Sequence, residues 1–396
     1  MHPFIFFSSC TVMYKNYINL STFTLLMNHE QRGNLVRKII SQVRDREYPY
    51  KTREKRKINW HDYDLAQCRE IGDVINLIRE LVNSAVKRLE PESAKGPGRP
   101  PVQPSDIAKV LLLQSYLGVS NRVAEGLIYL FDAKLGLSQQ FSYKTIERGY
   151  DRESVDRILD MIFQLTNEPV QGLEKIFSVD GSGSPTSVKQ NYAHDRQRQR
   201  GGKNAEENDL LASSTSDPKH DYVYKVAAIG TEYKLFSGWI STTDHSLGET
   251  TLFPEVMTQT IENHSGAEMM LGDGVFGNRP ICKLVSSYGL TLRALPHRNC
   301  TLKSKGVREW INMLWALSED SDAWLAEYHM RSISETGYSV LKRANPQPLR
   351  KRLNPRRETE DYLRGICHNI KRLCYLTYLA PDIDPVLSSV RRVLVS

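Results

Sequence analysis

Apolar residues recur every three or four positions through the first half of the chain, then switch to the shorter spacing of strands. A helical period carries Ile71, Val74, Ile75, Ile78, Leu81, Val82 and Val86. Ile107, Val110, Leu111, Leu113 and Leu117 predict a second helix, capped by Ser105 and Asp106. A third starts at Ser120, with Val123, Leu127, Leu130 and Phe131 on its buried face. Ser142 caps a short segment, Tyr143–Arg148, that sets Lys144 and Arg148 one turn apart on the same side. This layout suits a helix-turn-helix with its last helix in a major groove; a small helical bundle with solvated charges fits equally well.

Beyond Pro169 the period changes. Ile176–Val179 is a short buried strand that stops at Asp180 and a Gly-Ser-Gly-Ser-Pro turn, and Tyr222–Ile229 with Tyr233–Ser241 read as a hairpin. A helix at Glu249–Glu262 leads to the strand Glu268–Leu271, which stops at Gly272-Asp273-Gly274. The helix Pro280–Ser287, the strand Leu290–Leu295 and helices at Val307–Leu317, Asp322–Lys342 and Glu358–Tyr378 complete an α/β layout with a mixed sheet. No internal repeat is present.

Composition divides the chain further. Charge is nearly absent before Met27, so residues 1–27 are read as a tail or a mis-assigned start. Residues 28–95 form a basic helical region with a cluster at Lys51, Arg53, Lys55, Arg56 and Lys57. Residues 96–104 are a Pro/Gly linker, in which Gly98-Arg99-Pro100 also matches peptides that lie in the minor groove. Residues 105–168 are the helical, DNA-binding candidate and 169–380 the α/β domain, with a tail at 381–396. The polar stretch 184–221, carrying Arg196, Arg198, Arg200 and Lys203, is expected to be a mobile insert.

Hydrophobic residues at 40% and charged residues at 25% exclude a fibrous or wholly disordered protein. Six cysteines in 396 residues are too few for a disulfide framework and point to a reducing, cytoplasmic setting. No stretch is long and apolar enough to span a membrane. The net charge of +7 favours a polyanionic partner.

Chemistry concentrates in three places. Asp180 and Asp273 each follow a buried strand, at the edge where open α/β sheets bind ligands. Both are flanked by glycine, which lets a substrate or metal approach the backbone. In the late helix, Arg331, Glu335 and Lys342 stand 3, 7 and 14 residues after Tyr328. At about 100° per residue all four fall within a wedge of roughly 60°. That stripe is charged, so it is no hydrophobic seam.

Tyr328-x2-Arg331-x3-Glu335-x6-Lys342 resembles the Tyr-Arg-Glu-Lys signature of DDE transposases of bacterial and archaeal insertion sequences. Gly272-Asp273-x2-Phe276 and Val179-Asp180-Gly181-Ser182 resemble the motifs around their second and first aspartates. The resemblance covers roughly residues 170–380. It implies an RNase H-like mixed five-stranded sheet flanked by helices, preceded by an all-helical DNA-binding domain. The acids would stand on strand 1, strand 4 and a following helix. Two departures are visible. The 38 residues from 184 to 221 are long for that connection, and the 62 residues from Asp273 to Glu335 leave no room for a large insertion.

By the same resemblance Asp180, Asp273 and Glu335 are the catalytic acids and hold two Mg2+ ions, with Mn2+ able to substitute and Asp180 bridging. Arg331 and Lys342 would hold phosphates of the element end, and Tyr328 would lie against a base or sugar. Three convergent carboxylates would repel unless divalent cations neutralise them. Mg2+ accepts a few carboxylates with phosphate oxygens, and a pair of ions stabilises both oxygens of an in-line phosphodiester displacement. The expected activity is metal-dependent cleavage of the element's ends and strand transfer into target DNA. The partners would be double-stranded DNA and a second copy in the DNA complex, with no membrane and no small-molecule cofactor. A related nuclease without strand transfer and a non-catalytic DNA-binding regulator are the alternatives.

Lys342, Arg343, Arg350, Lys351, Arg352, Arg356 and Arg357 put seven cations and no acid in sixteen residues, which suits the DNA backbone. Gly272-x-Gly274-x2-Gly277 has the form of a dinucleotide fingerprint, but no acid follows before Arg308 to hold a ribose. Cys367, His368 and Cys374, and His297 with Cys300, match no zinc spacing. Asp244-His245 is kept as a supporting pair near the acids.

Overall fold

The computed structural model describes residues 27–50, 59–90, 101–189, 220–380 and 383. The expected tail at 1–26, the Lys51–Lys57 cluster, most of the linker, residues 190–219 of the insert and nearly all of 381–396 lie outside the described residues.

The chain first forms α1 (His29–Arg44), α2 (Trp60–Arg88), α3 (Pro104–Leu117), α4 (Asn121–Leu135), α5 (Tyr143–Gly149) and α6 (Glu153–Asn167). The sheet strands follow as β1 (Ile176–Lys189), β2 (His220–Gly230) and β3 (Phe236–Thr242). Then come α7 (Glu249–Asn263), β4 (Met269–Gly272), α8 (Arg279–Ser287) and β5 (Thr291–Ala294). Helices α9 (Arg308–Glu319), α10 (Ser321–Tyr328), α11 (Ser332–Ala344) and α12 (Asn354–Leu379) close the order.

Local chemistry explains most of these boundaries. At α1, Asn28 and Gln31 exchange side-chain and backbone bonds in a capping box. Pro104 opens α3, and left-handed Gly118 and Gly136 end α3 and α4. The five strands lie in the order β3-β2-β1-β4-β5. β1–β2 and β2–β3 pair antiparallel, and β1–β4 and β4–β5 parallel. This mixed sheet flanked by helices is compatible with the expected RNase H-like fold.

Alternation along β2 sorts the molecule into two cores. Val226 and Ala228 face α1, α7, α8 and α9, while Ala227 and Ile229 face α2 to α6, α11 and α12. The region 28–95 is therefore divided, with α1 on one face and α2 on the other. The helices of 105–168 enclose no core of their own; they share one apolar cluster with α12 and with Phe236 and Trp239 of the sheet.

Several expectations change. β1 does not stop at Asp180 but runs fourteen residues, through the Gly-Ser-Gly-Ser-Pro stretch, with Phe177 to Pro185 paired to β2. On its other side the pairing with β4 ends at Ser178, and the backbone of Leu349 bonds to Pro185 and Ser187. Proline and glycine are tolerated at an edge of this kind. Residues 184–189 and 220–221 thus belong to strands, not to the insert.

The single helix expected over 322–342 is broken by a 3-10 turn at His329–Arg331, so Tyr328 and Arg331 leave the continuous face. The Ser178 hydroxyl donates to the Arg331 carbonyl there, at 2.9 Å. Asp106 caps nothing; it is buried and accepts from Ser138, and the Tyr143 N–H is taken by Glu125 and not by Ser142. α4 buries Ala124, Ile128 and Leu135, leaving Val123 and Leu130 exposed; Ile71 and Val86 of α2 are exposed too.

His264, 1% exposed, lies 4.8 Å from the Phe177 ring and holds Asn167 Oδ1 through Nε2 at 3.0 Å. Its Nδ1 has no hydrogen-bond partner among the described residues. Burial pushes its pKa down to about 4. The folded protein therefore refuses a proton that the unfolded chain accepts below about pH 6.5, and stability falls as pH drops from there to about 4. His264→Gln is expected to remove on the order of 3 kcal/mol of that acid-linked loss. Urea denaturation at pH 7.5 and 4.5 checks this: equal pH dependence in both proteins refutes it.

Candidate active site

The parallel register of β1 and β4 ends at Ser178 opposite Leu271. Asp180 lies two residues further along β1, and Asp273 follows directly on the end of β4, so both aspartates stand at the same end of neighbouring parallel strands. Asp273 Oδ1 accepts the Val275 N–H at 2.8 Å and Asp180 Oδ1 the Gly181 N–H at 2.9 Å. Tyr338 of α11 donates its hydroxyl to the Asp180 carbonyl oxygen at 2.7 Å. α11 lies close to β1 and β2 because small residues line the contact: the Ser178 and Ser334 hydroxyls meet at 3.2 Å, and a Cβ on Gly337 would sit 2.8 Å from Ile229 of β2.

α11 carries Glu335 in its first turn, 60% exposed, in an ion pair with Arg331 at 3.0 Å. Arg331 also lies 5.2 Å over the Tyr328 ring, and its buried Nε has no partner among the described residues. Tyr328 is 5% exposed and packed 5.4 Å from Trp324, so only an edge of the ring is offered to a ligand. Asp273, Tyr328, Arg331 and Glu335 together line a cavity of about 840 Å³. Lys342 stands two turns beyond Glu335 on the same helix, exposed, and does not line that cavity.

A fourth acid was not found from the sequence. Glu249, in the first turn of α7, accepts the Tyr224 hydroxyl at 2.7 Å. A Cβ on Gly181 would collide with both groups, so this glycine makes room for Glu249 beside Asp180. An acid opening a helix is ordinary chemistry, and nothing in its spacing singled it out. Asp244 and His245 instead build a local turn: Asp244 accepts from Ser246, and His245 stacks on Tyr222 at 4.0 Å.

Electrostatics ties the acids together. Burial, opposed by the Gly181 N–H and reinforced by the charges of Glu249, Asp273 and Glu335, pushes the Asp180 pKa up to about 6. Hard oxygen donors that repel one another are the set a divalent cation would relieve. Among the described residues, though, no group of three or more His, Cys, Asp or Glu side chains is arranged to hold a metal as it stands. Each carboxylate is turned to a protein donor instead: Asp180 to Gly181, Glu249 to Tyr224, Asp273 to Val275 and Glu335 to Arg331.

The expected DNA contacts separate into exposed and buried cations. Lys144 and Arg148 are exposed on α5, as are Arg343, Arg350 and Arg352 in the connector. Lys351 is not available: it is 4% exposed, its Nζ bonds Asn121 and Glu147 at 2.7 and 2.8 Å, and it lies 3.8 Å over Tyr150. Arg356 pairs with Glu147 and Asp151, and Arg357 with Asp221. These pairs fasten the connector and the first turn of α12 to α5 and β2. A cleft of about 690 Å³ between the connector and α5 is lined by Arg122, Lys144, Arg148 and Arg350. Its acids are already engaged: Glu147 by Lys351, and Glu360 by the backbone N–H groups of Arg350 and Lys351. Cys367, His368 and Cys374 take ordinary roles in α12, with Cys367 Sγ on the Leu112 carbonyl and His368 on that of Lys234.

No family model matches the chain. It is similar to the probable transposase for insertion sequence element ISA1214 of Archaeoglobus fulgidus, 25% identical over 342 residues that span 85% of this chain and 95% of that protein. The resemblance to insertion-sequence transposases drawn from the sequence is borne out to that extent.

Proposed function

We propose that the protein is the transposase of an insertion sequence, and that Asp180, Asp273 and Glu335 are its catalytic acids. The observation that carries this reading is the placement of Asp180 on β1 and of Asp273 just past the end of its parallel neighbour β4, with Asp273 and Glu335 both near enough to raise the Asp180 pKa. The relative of the same kind supports it.

In this reading the three acids hold two Mg2+ ions, with Mn2+ able to substitute. The bound ions supply neutralising charge and activate the attacking oxygen. Glu249 and Tyr224 pack against Gly181 and limit the space beside the Asp180 carboxylate. Arg331, whose side chain is partly exposed, donates to a phosphate oxygen of the element's end, a charge-assisted bond that also draws the guanidinium off Glu335. Tyr328 supports the guanidinium from below. Lys342, Arg343, Arg350 and Arg352, with Lys144 and Arg148 across the cleft, neutralise flanking phosphates. Two ends are cut together, so two copies of the chain act in the DNA complex. Among the described residues no helix is long and apolar enough to cross a membrane.

The test uses the full chain, a duplex carrying the terminal repeat that flanks its gene, a target plasmid and Mg2+. Strand cleavage at the repeat, blocked by EDTA, followed by joined products, is the expected result. Cleavage without joining leaves the nuclease alternative, and DNA binding without metal-dependent cleavage leaves the regulator.

A further inference from the structure

Part of the lining of the cavity that holds Asp273 and Glu335 comes from the far end of the sequence. The turn after α1 contributes Arg44, Arg46 and Tyr50 to the same 840 Å³ space, with Arg298 beside them. α1 is seated firmly, with Val36 and Ile40 fully buried among residues of α9 and the sheet. Arg44 clamps its end to the chain beyond β5 by donating to the carbonyls of Leu295 and Pro296, at 3.3 and 2.9 Å. Tyr48 donates to Asp322 at 2.7 Å, and Tyr50 stacks edge-on against His329, 4.9 Å away, next to the signature residues.

Arg46 is the residue this anchoring presents. The Glu47 N–H returns to the Gln42 carbonyl at 2.8 Å and the Arg46 N–H to that of Val43 at 3.3 Å, the two bonds of a Schellman ending. Such an ending calls for a left-handed residue, usually glycine. Here it is Arg46, at φ 62°. A side chain with Cβ is strained in that conformation. Neighbouring cations are engaged, since Arg298 pairs with Asp45. Among the described residues no ion pair is formed by Arg46, which is exposed and lines the cavity. A cation held at a glycine position, against local preference and lining the same cavity as two acids, is placed for an anion that arrives with the metal.

We propose that Arg46 grips a backbone phosphate of the DNA strand entering the Asp273–Glu335 cavity, with the exposed ring of Tyr50 packed against the adjoining deoxyribose. This deepens the transposase reading and rests on it. It makes α1 a part of the active site, although most of the chain separates the two in sequence.

Arg46→Gly is the informative variant, because glycine relieves the left-handed strain and the fold should not weaken. Full-length wild type, Arg46→Gly, Arg46→Lys and Tyr50→Ala are titrated against a labelled random-sequence DNA duplex over a series of salt concentrations. Thermal unfolding is measured in parallel. Arg46→Gly is expected to bind about tenfold more weakly near 0.1 M salt, to lose about 1 from the slope of log affinity against log salt, and to keep or raise its Tm. Arg46→Lys should restore most of the slope, and Tyr50→Ala should weaken binding without changing it. Wild type that binds while Arg46→Gly matches it in affinity and slope overturns this proposal and leaves the transposase reading standing. Wild type that binds no DNA overturns both.

Discussion

Asp180→Asn is expected to lower metal-dependent strand cleavage by at least about a thousandfold, the scale of several kcal/mol of lost charge stabilisation, while making the metal-free protein more stable. The two effects have one cause. At neutral pH the Asp180 carboxylate is half-buried and faces three other acids, so its pKa stands near 6 against an ordinary value of 3.8. A carboxyl whose folded pKa is raised contributes stability only at low pH and loses it as pH rises through about 6. Asparagine keeps the shape and the Gly181 contact but carries no charge. At pH 7.5 in EDTA it should therefore gain about 1–2 kcal/mol, after allowance for solvent screening at this partly exposed site. Urea denaturation and the cleavage assay are run on the same preparation. A variant that cleaves like wild type removes Asp180 from the chemistry, and one that loses stability shows that the acids do not repel as described. Glu335→Gln should lose cleavage similarly but gain little stability, because Glu335 is exposed and already paired with Arg331.

The largest stability effect is expected at a buried pair away from the acids. Lys225 of β2 and Asp361 of α12 meet at 2.8 Å with side chains 5% and 0% exposed. Ser184 of β1 and Ser241 of β3 donate to the same carboxylate, and the ammonium lies between the rings of Trp239 and Tyr338. One carboxylate thus fastens α12 to three strands, including the extension of β1 that carries Asp180. Asp361→Ala leaves a buried ammonium without its partner and should cost about 3–5 kcal/mol, whereas Lys225→Met combined with Asp361→Leu should recover most of that. Denaturant midpoints decide it. A loss under about 1 kcal/mol in Asp361→Ala would mean that water reaches the pair.

The sequence carried the alternation of strands and helices after Pro169 well, because period-two and period-3.6 patterns are local. Asp273 was legible for the same reason: a buried strand ends beside two glycines. The length of β1 was not, since Gly-Ser-Gly-Ser-Pro has the composition of a turn and only its pairing with β2 and Leu349 makes it a strand. The break at His329–Arg331 contains neither glycine nor proline, so helical arithmetic ran Tyr328 and Glu335 onto one face. Lys351 shows a further blind spot. Charge counts cannot distinguish a lysine on the surface from one buried over Tyr150 between Asn121 and Glu147. Glu249 and Arg46 were missed because their importance lies in what stands across from them.

Each of the two cores is assembled from both ends of the chain. On one face α2 to α6 rest against Leu363, Ile366, Ile370 and Leu373 of α12, and on the other Val36, Ile39 and Ile40 wait for α9. During synthesis the early helices therefore leave the ribosome well before the surfaces that cover them, a long-range closure that is slow and exposed to aggregation. A gene copy interrupted ahead of residue 354 would yield helices stripped of the α12 surface that covers them, not an independently folded N-terminal fragment.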